Sequence, residues 1–201
     1  MKINEWLDFF KKNKRKTIFT LSDLSQLSGI KKNVLSVEIN RLVNKNILDR
    51  ISNGFYENPF NPPSIEEIAM IKRYPSYLSM EYALSKEGIL SQRAYTLTLI
   101  TTELPITYKT KNAVLEYHQI NRKLFWGYKK QKEILIAEPE KALLDLIYIR
   151  YIKNKEFTKN DLESILNDME LEEIDRKKFE KYSDKFSKNN KKIIQDLKII
   201  K

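Results

Sequence analysis

Asn33, Val37, Asn40 and Asn44 recur at intervals of four, three and four residues, with Ser36 and Arg41 beside them. At the ~100° per residue of an α-helix, such a set lies along one face. Leu35, Ile39, Leu42 and Val43 fall on the opposite face and are expected to pack inward. The chemistry of the outward set is recognition rather than bond-making. An Asn amide can pair bidentately with adenine, an Arg guanidinium with guanine, and an apolar side chain can meet the thymine methyl. Val37 is the odd member, apolar where solvent is expected, and a thymine methyl would account for it. Lys31 and Lys32 stand at the start of this helix, where cations oppose the helix dipole. Folding does not ask for them there, whereas a nearby phosphate would. Lys45 closes the far end. A polar stripe alone describes any solvated helix face, so the flanking elements decide how it is read.

Those elements are as follows. Trp6, Leu7, Phe9 and Phe10 share helical spacing, and the basic run Lys11–Lys16, broken by Asn13, follows. Ile18–Thr20 suits a short strand. Ser22 is expected to cap a second helix, Asp23 to Ser28, and Gly29 to end it in a left-handed turn. The third helix spans about Lys32 to Lys45, with Asn46 tolerating the left-handed conformation after it. Ile47–Ile51 and Phe55–Glu57 form a hairpin about Ser52-Asn53-Gly54, since Asn-Gly is a strong hairpin signal. Arg50 and Asn53 on that hairpin are candidates for phosphate or minor-groove contact. Helix, turn, longer helix and hairpin are the order of a winged helix-turn-helix, expected over residues 1–58, and its partner is expected to be double-stranded DNA.

Residues 59–63 hold three of the six prolines when read with their neighbours and are expected to be a linker, because proline stiffens the chain. Residues 64–201 are expected to form a second domain. Helices are read over Ile65–Tyr74 and from a Ser79 cap to Lys86. Short strands are read at Tyr95–Ile100, Ile106–Thr110, Val114–Ile120, Leu124–Tyr128 and Ile134–Ala137. Pro139 opens another helix, whose apolar face runs to about Arg150. Residues 154–201 are a charged helical extension, with helices opening at Thr158 and near Ile174–Tyr182 and Ile193–Ile199. The fold class expected is α+β: a winged helix-turn-helix, then a mixed α/β domain with a small, mainly antiparallel sheet and C-terminal helices.

Composition narrows the chemistry. The net charge is +10, and residues 1–60 carry eleven basic against six acidic side chains, half of the excess in under a third of the chain. A basic balance attracts polyanions. With no cysteine and the single histidine His118, thiolate zinc sites and Cys/His nucleophilic pairs are excluded. His118 is read as a strand residue. The four glycines, at 29, 54, 88 and 127, cannot form a phosphate-cradling loop. The acidic run Asp168, Glu170, Glu172, Glu173 and Asp175 is read as a solvated face at a helix start rather than a metal site. No metal or cofactor is expected, no catalytic residue is assigned, and the chain is read as no enzyme. No apolar run reaches the ~18 residues of a membrane span, and the Met-Lys-Ile-Asn-Glu-Trp start lacks the apolar core of a signal peptide. A cytoplasmic location without membrane partners is expected.

Five phrases in residues 74–146 carry a family resemblance. Tyr74-Pro75-Ser76-Tyr77-Leu78-Ser79-Met80-Glu81-Tyr82-Ala83-Leu84 followed by Gly88-Ile89, Thr101-Thr102-Glu103-Leu104-Pro105, Glu116-Tyr117-His118-Gln119-Ile120, Leu124-Phe125-Trp126-Gly127-Tyr128, and Ala137-Glu138-Pro139-Glu140-Lys141-Ala142-Leu143-Leu144-Asp145-Leu146 occur in that order. Together they resemble the AbiEi-type antitoxins of abortive-infection and viral-defence systems. That resemblance implies a repressor of its own toxin-antitoxin operon, bound to inverted repeats in its promoter. It implies a nucleotidyltransferase-like toxin as functional partner, opposed without a stable complex in the manner classed as type IV, and a C-terminal domain needed for that opposition. Residues 154–201 share only helical character with the family. Read from the residues themselves, the phrases have structural roles: Ser79 a helix cap, Pro139 a first helical residue, Lys141 and Asp145 an i,i+4 pair. The alternative is a stand-alone winged-helix regulator whose second domain senses a small ligand or partner protein, with Tyr95, Tyr117, Trp126 and Tyr128 lining a pocket. Either regulator would reach a symmetric site as a dimer or as cooperative monomers.

Overall fold

The computed structural model describes residues 1–92, 95–110 and 113–199. The chain mixes α-helix and β-sheet in two compact units, Met1–Lys72 and Arg73–Lys201. The division falls after residue 72 and not in the proline-rich stretch at 59–63. The reason is local. The buried Asn58 side chain donates to the carbonyls of Lys16 (2.8 Å), Asn13 (3.2 Å) and Phe10 (3.4 Å), and Thr17 donates to Glu67 at 2.7 Å. Residues 58–72 are thereby stitched to what precedes them.

The first unit runs α1 (Ile3–Lys12), β1 (Ile18–Thr20), α2 (Leu21–Ser28), α3 (Lys32–Asn44), β2 (Arg50–Ser52), β3 (Phe55–Glu57) and α4 (Ile65–Lys72). Its strands form an antiparallel sheet in the order β1-β3-β2. Trp6, Phe10, Phe19, Leu24, Leu35, Ile39, Leu42, Leu48 and Tyr56 make one core, so the apolar stripes of α1 and α3 close on the same interior. Val43, expected inward, is only half-buried. The cap of α2 is Thr20, not Ser22. The Thr20 hydroxyl accepts from the Asp23 N–H at 3.0 Å, and the Asp23 carboxylate accepts from the Thr20 N–H at 2.7 Å. This reciprocal box satisfies two otherwise free helix-end donors.

The second unit contains β4 (Ser76–Leu78), α5 (Met80–Lys86), β5 (Thr96–Thr101), β6 (Ile106–Lys109), β7 (Val114–Gln119), β8 (Tyr128–Gln131), β9 (Ile134–Ala137), α6 (Pro139–Leu146), α7 (Lys159–Leu166), α8 (Arg176–Ser183) and α9 (Lys188–Asp196). Short 3-10 turns occur at Arg122–Leu124 and Leu171–Glu173, and α6 continues as a π-helix through Ile147–Ile152. The sheet is larger and more mixed than expected. It has six strands in the order β6-β7-β5-β4-β9-β8, parallel at β5–β7 and β4–β9 and antiparallel elsewhere. The central strand β4 was not anticipated. Leu124–Tyr128 is not a strand: Gly127, at φ 78°, turns the chain, and the strand starts at Tyr128. The last helix spans Lys188–Asp196 and so begins ahead of the expected Ile193–Ile199. Helices α5 and α6 pack on each other, and α8 packs on α6.

Candidate nucleic-acid interface

The turn before α3 is built from local hydrogen bonds. Gly29 is left-handed at φ 74°, and its N–H reaches the Ser25 carbonyl at 3.0 Å. The Ser25 hydroxyl then donates to the Ile30 carbonyl at 2.7 Å. At the other end Asn46 takes φ 54°, and the Ile47 N–H returns to the Leu42 carbonyl at 3.0 Å. Both ends of α3 are thus set, and with Leu35, Ile39 and Leu42 fully buried its rotation about its axis is set as well.

The opposite face is open. Asn33, Ser36, Val37, Asn40, Arg41, Asn44 and Lys45 are all exposed, as are Lys31 and Lys32. Val37 is 71% exposed, and Val34, which the periodicity did not single out, is 52% exposed one turn before it. These two valines form an apolar strip in an otherwise polar surface. Lys31, Lys32 and Lys45 have no acidic partner among the described residues. Arg41 is partly occupied, donating to the Met1 carbonyl at 2.9 Å. The neighbouring Glu38 accepts from the Met1 amino group at 2.7 Å and from the Trp6 indole at 2.8 Å. The amino group's hydrogen bond, with the indole's behind it, holds the Glu38 carboxyl below its ordinary range.

The hairpin brings one residue to this face and leaves another apart. Arg50 donates to the Asn40 Oδ1 at 2.5 Å and lies over the Tyr56 ring, 5.4 Å from its centroid. Asn53 is exposed at the turn between Ser52 and Phe55, where only Gly54, at φ 79°, is left-handed. Spacing on the helix could not reveal the Asn40–Arg50 contact, because it depends on hairpin register and on the bulge between Arg50 and Ser52.

A groove of about 350 Å³ elsewhere on the first unit is lined by Met1, Glu5, Asp8, Phe9, Lys12, Leu27 and Ser28. Its two carboxylates make it a poor seat for phosphate.

The second unit holds a buried polar cluster. Lys141 and Asp145, one turn apart on α6, are both fully buried and form an ion pair. Lys141 also donates to the Tyr77 hydroxyl at 2.9 Å, and Tyr77 and Ser79 donate to Asp145 at 2.9 and 2.8 Å. The Ser79 hydroxyl therefore serves Asp145 and makes no cap bond to α5. Trp126 covers Lys141, whose ammonium is 5.0 Å from the ring centroid. Tyr77, Ser79, Trp126, Lys141 and Asp145 thus form an internal support.

The four aromatics considered for a ligand pocket do not converge. Tyr95 is 82% exposed, Tyr117 is buried against Tyr108, Trp126 packs on Tyr182, and Tyr128 stacks on Tyr77. A cavity of about 340 Å³ lies instead between α8 and α9, lined by Phe179, Ser183, Ile194 and Ile199 with Arg176 and Lys198. Among the described residues no three His, Asp or Glu side chains cluster to hold a metal, and no helix is long and apolar enough to cross a membrane.

No protein-family model matches the chain, and no curated protein matches it.

Proposed function

We propose that the first unit is a winged helix-turn-helix that binds double-stranded DNA through α3 and the β2–β3 hairpin, and that the chain is a transcriptional repressor. The observation that carries this reading is the outer face of α3. It presents Asn33, Val37, Asn40 and Asn44 to solvent between lysines that have no acidic partner among the described residues, with Val37 71% exposed. Burying that valine against a thymine methyl and those lysines against phosphates gives each a role that folding does not. The order α1-β1-α2-α3-β2-β3, with the turn at Gly29, supports the fold named.

From the family resemblance we further propose that the repressed operon is the protein's own. The chain then acts as the type IV antitoxin of an abortive-infection system, in the cytoplasm, against a nucleotidyltransferase-like toxin with which it forms no stable complex. It works as a binding protein and not as an enzyme, and it meets inverted repeats as a monomer or a dimer. The ligand-sensing alternative is less favoured, because Tyr95, Tyr117, Trp126 and Tyr128 do not line one pocket.

A gel shift on the DNA upstream of the gene tests the reading. The full-length protein is expected to retard that DNA specifically. Lys31→Ala together with Lys32→Ala is expected to weaken all duplexes alike and to reduce the salt slope by about two, near 0.9 for each phosphate no longer neutralised. Retention of the full slope by this double variant would remove the start of α3 from the DNA. Co-expression with the adjacent gene tests the antitoxin part: a chain ending at residue 72 that still relieved toxicity would show the second unit to be dispensable.

A further inference from the structure

We infer that Arg50 and Asn40 act as one composite reader of guanine in the major groove. The inference rests on the DNA reading above and deepens it. Asn40 and Arg50 come from different elements, α3 and β2, and meet through a hydrogen bond of 2.5 Å from the guanidinium to the Asn40 Oδ1. That bond changes what Asn40 can offer. A free Asn amide presents one acceptor and two donors, which is the complement of adenine. Here one of the two lone pairs of its oxygen is already taken by Arg50, while its Nδ2 has no partner among the described residues.

Arg has five N–H donors and no acceptor. The joint surface is therefore dominated by donors, with only the second lone pair of the Asn40 oxygen left to accept. Among base edges in the major groove, guanine alone presents two acceptors side by side, N7 and O6. Adenine places a donor beside N7, cytosine presents a donor, and thymine has a single acceptor beside a methyl. Adenine next to this pair would set its N6–H against a guanidinium N–H or make it share the oxygen that Arg50 already holds.

The pair is also held in place before any ligand arrives. Tyr56, the cross-strand partner of Arg50 and 5% exposed, lies under the guanidinium. The bulge between Arg50 and Ser52 re-aims the strand at that point. A guanidinium fixed by a ring on one side and an amide on another loses less side-chain freedom on binding than a free one.

A phosphate is likewise rich in acceptors and could take the same donors. Position favours the base. Asn40 lies mid-way along the open face of α3, one turn from Val37, while the lysines without acidic partners among the described residues stand at the two ends of the helix. Side chains on the groove-facing side of a recognition helix reach base edges, whereas lysines and the helix N-terminus can hold the phosphates.

Selection of full-length protein on random duplexes at fixed salt tests this, with wild type, Arg50→Ala, Arg50→Lys and Asn40→Ala compared. The wild type is expected to select guanine at one position of each half-site, and 7-deazaguanine there, which lacks the N7 acceptor, to weaken binding roughly tenfold or more. Arg50→Lys keeps the charge but not the fork, and is expected to weaken the guanine preference while retaining the salt slope. Three results would overturn the inference. Equal weakening of all duplexes by Arg50→Ala, with the slope lower by about one, would assign Arg50 to phosphate. An adenine preference lost in Asn40→Ala would mean that the Asn40 oxygen reads the base itself. Both of these leave the DNA reading standing, whereas failure to enrich any duplex overturns it and the inference together.

Discussion

Lys141 and Asp145 face each other across one turn of α6 with no exposed side-chain surface on either residue. Burial pulls the lysine below its ordinary pKa and pushes the carboxyl above its own, and each partner opposes the other's shift. The pair persists because Tyr77 and Ser79 supply further hydrogen bonds to Asp145, and because Tyr77 also accepts from Lys141. Removing one partner strands the other. Asp145→Ala is expected to destabilise the second unit by about 3–5 kcal/mol, and Lys141→Met with Asp145→Leu to recover most of that loss. Urea unfolding followed by tryptophan fluorescence measures both, since Trp126 sits against Lys141. A double variant no more stable than the single would contradict the account.

Gly127 bears on the same cluster. A Cβ there would stand 2.9 Å from the Lys141 Cγ, and its φ of 78° strains any L side chain. Gly127→Ala is expected to cost about 1–3 kcal/mol, read as a lower denaturant midpoint with an unchanged slope. The same substitution at Gly88 meets no atom within 4 Å and carries only the backbone strain, so it should be the milder of the two.

In the first unit the corresponding polar anchor is Asn58. Its amide serves three carbonyls, and its Oδ1 accepts from the Phe60 N–H at 3.0 Å. Asn58→Ala removes these hydrogen bonds and is expected to cost about 2–3 kcal/mol. A fragment of residues 1–72 is expected to unfold cooperatively. A fragment of residues 1–58 lacks Glu67, the partner of Thr17, and should be markedly less stable. Equal midpoints for the two fragments would return the boundary to residue 58.

His118 gives the second unit a pH dependence. Burial holds its imidazole below the ordinary 6.5, the Arg150 guanidinium adds to this, and Glu116 and Glu81 oppose it. The unfolded chain therefore takes up the proton first as the solution is acidified. The contribution from neutral His118 is fully present above about 6.5 and is lost progressively as pH falls from there toward the lower folded-state value. His118→Gln is expected to flatten the melting temperature between about pH 7 and about pH 5, because His118 is the only histidine and histidine alone has its unperturbed pKa in that range. An unchanged pH profile in that variant would exclude His118 as the source.

Features set by a residue and its nearest neighbours were legible in the sequence. Gly29 and Asn46 take left-handed φ as their types suggest, Pro139 opens α6, and Ile134–Ala137 is a strand with the expected bounds. Close competitors were harder to separate: Thr20 and Ser22 can both cap, and the box with Asp23 decides for Thr20. What depends on distant partners was not legible. β4 has only three residues, set between Pro75 and a helix, and is a strand because β5 and β9 flank it. The i,i+4 spacing revealed the Lys141–Asp145 pair, but only Tyr77, Ser79 and Trp126, from other elements, make it internal. On α3 the pattern separated the outward residues from the core. It did not show that the Asn40 acceptor is covered by Arg50, ten residues on and across a bulge.

The division after residue 72 has a consequence for the order in which the protein comes into being. Every strand and helix of the first unit lies within those residues, so this unit can fold on the ribosome as soon as they emerge. The second unit must wait. Its central strand pairs with β9 through Leu78 and Ile136, and the sheet cannot close until that later segment is made. At ~5–20 residues per second, synthesis of the remaining chain takes on the order of ten seconds. During that interval the nascent polypeptide carries a finished α3 face and an unfinished sheet.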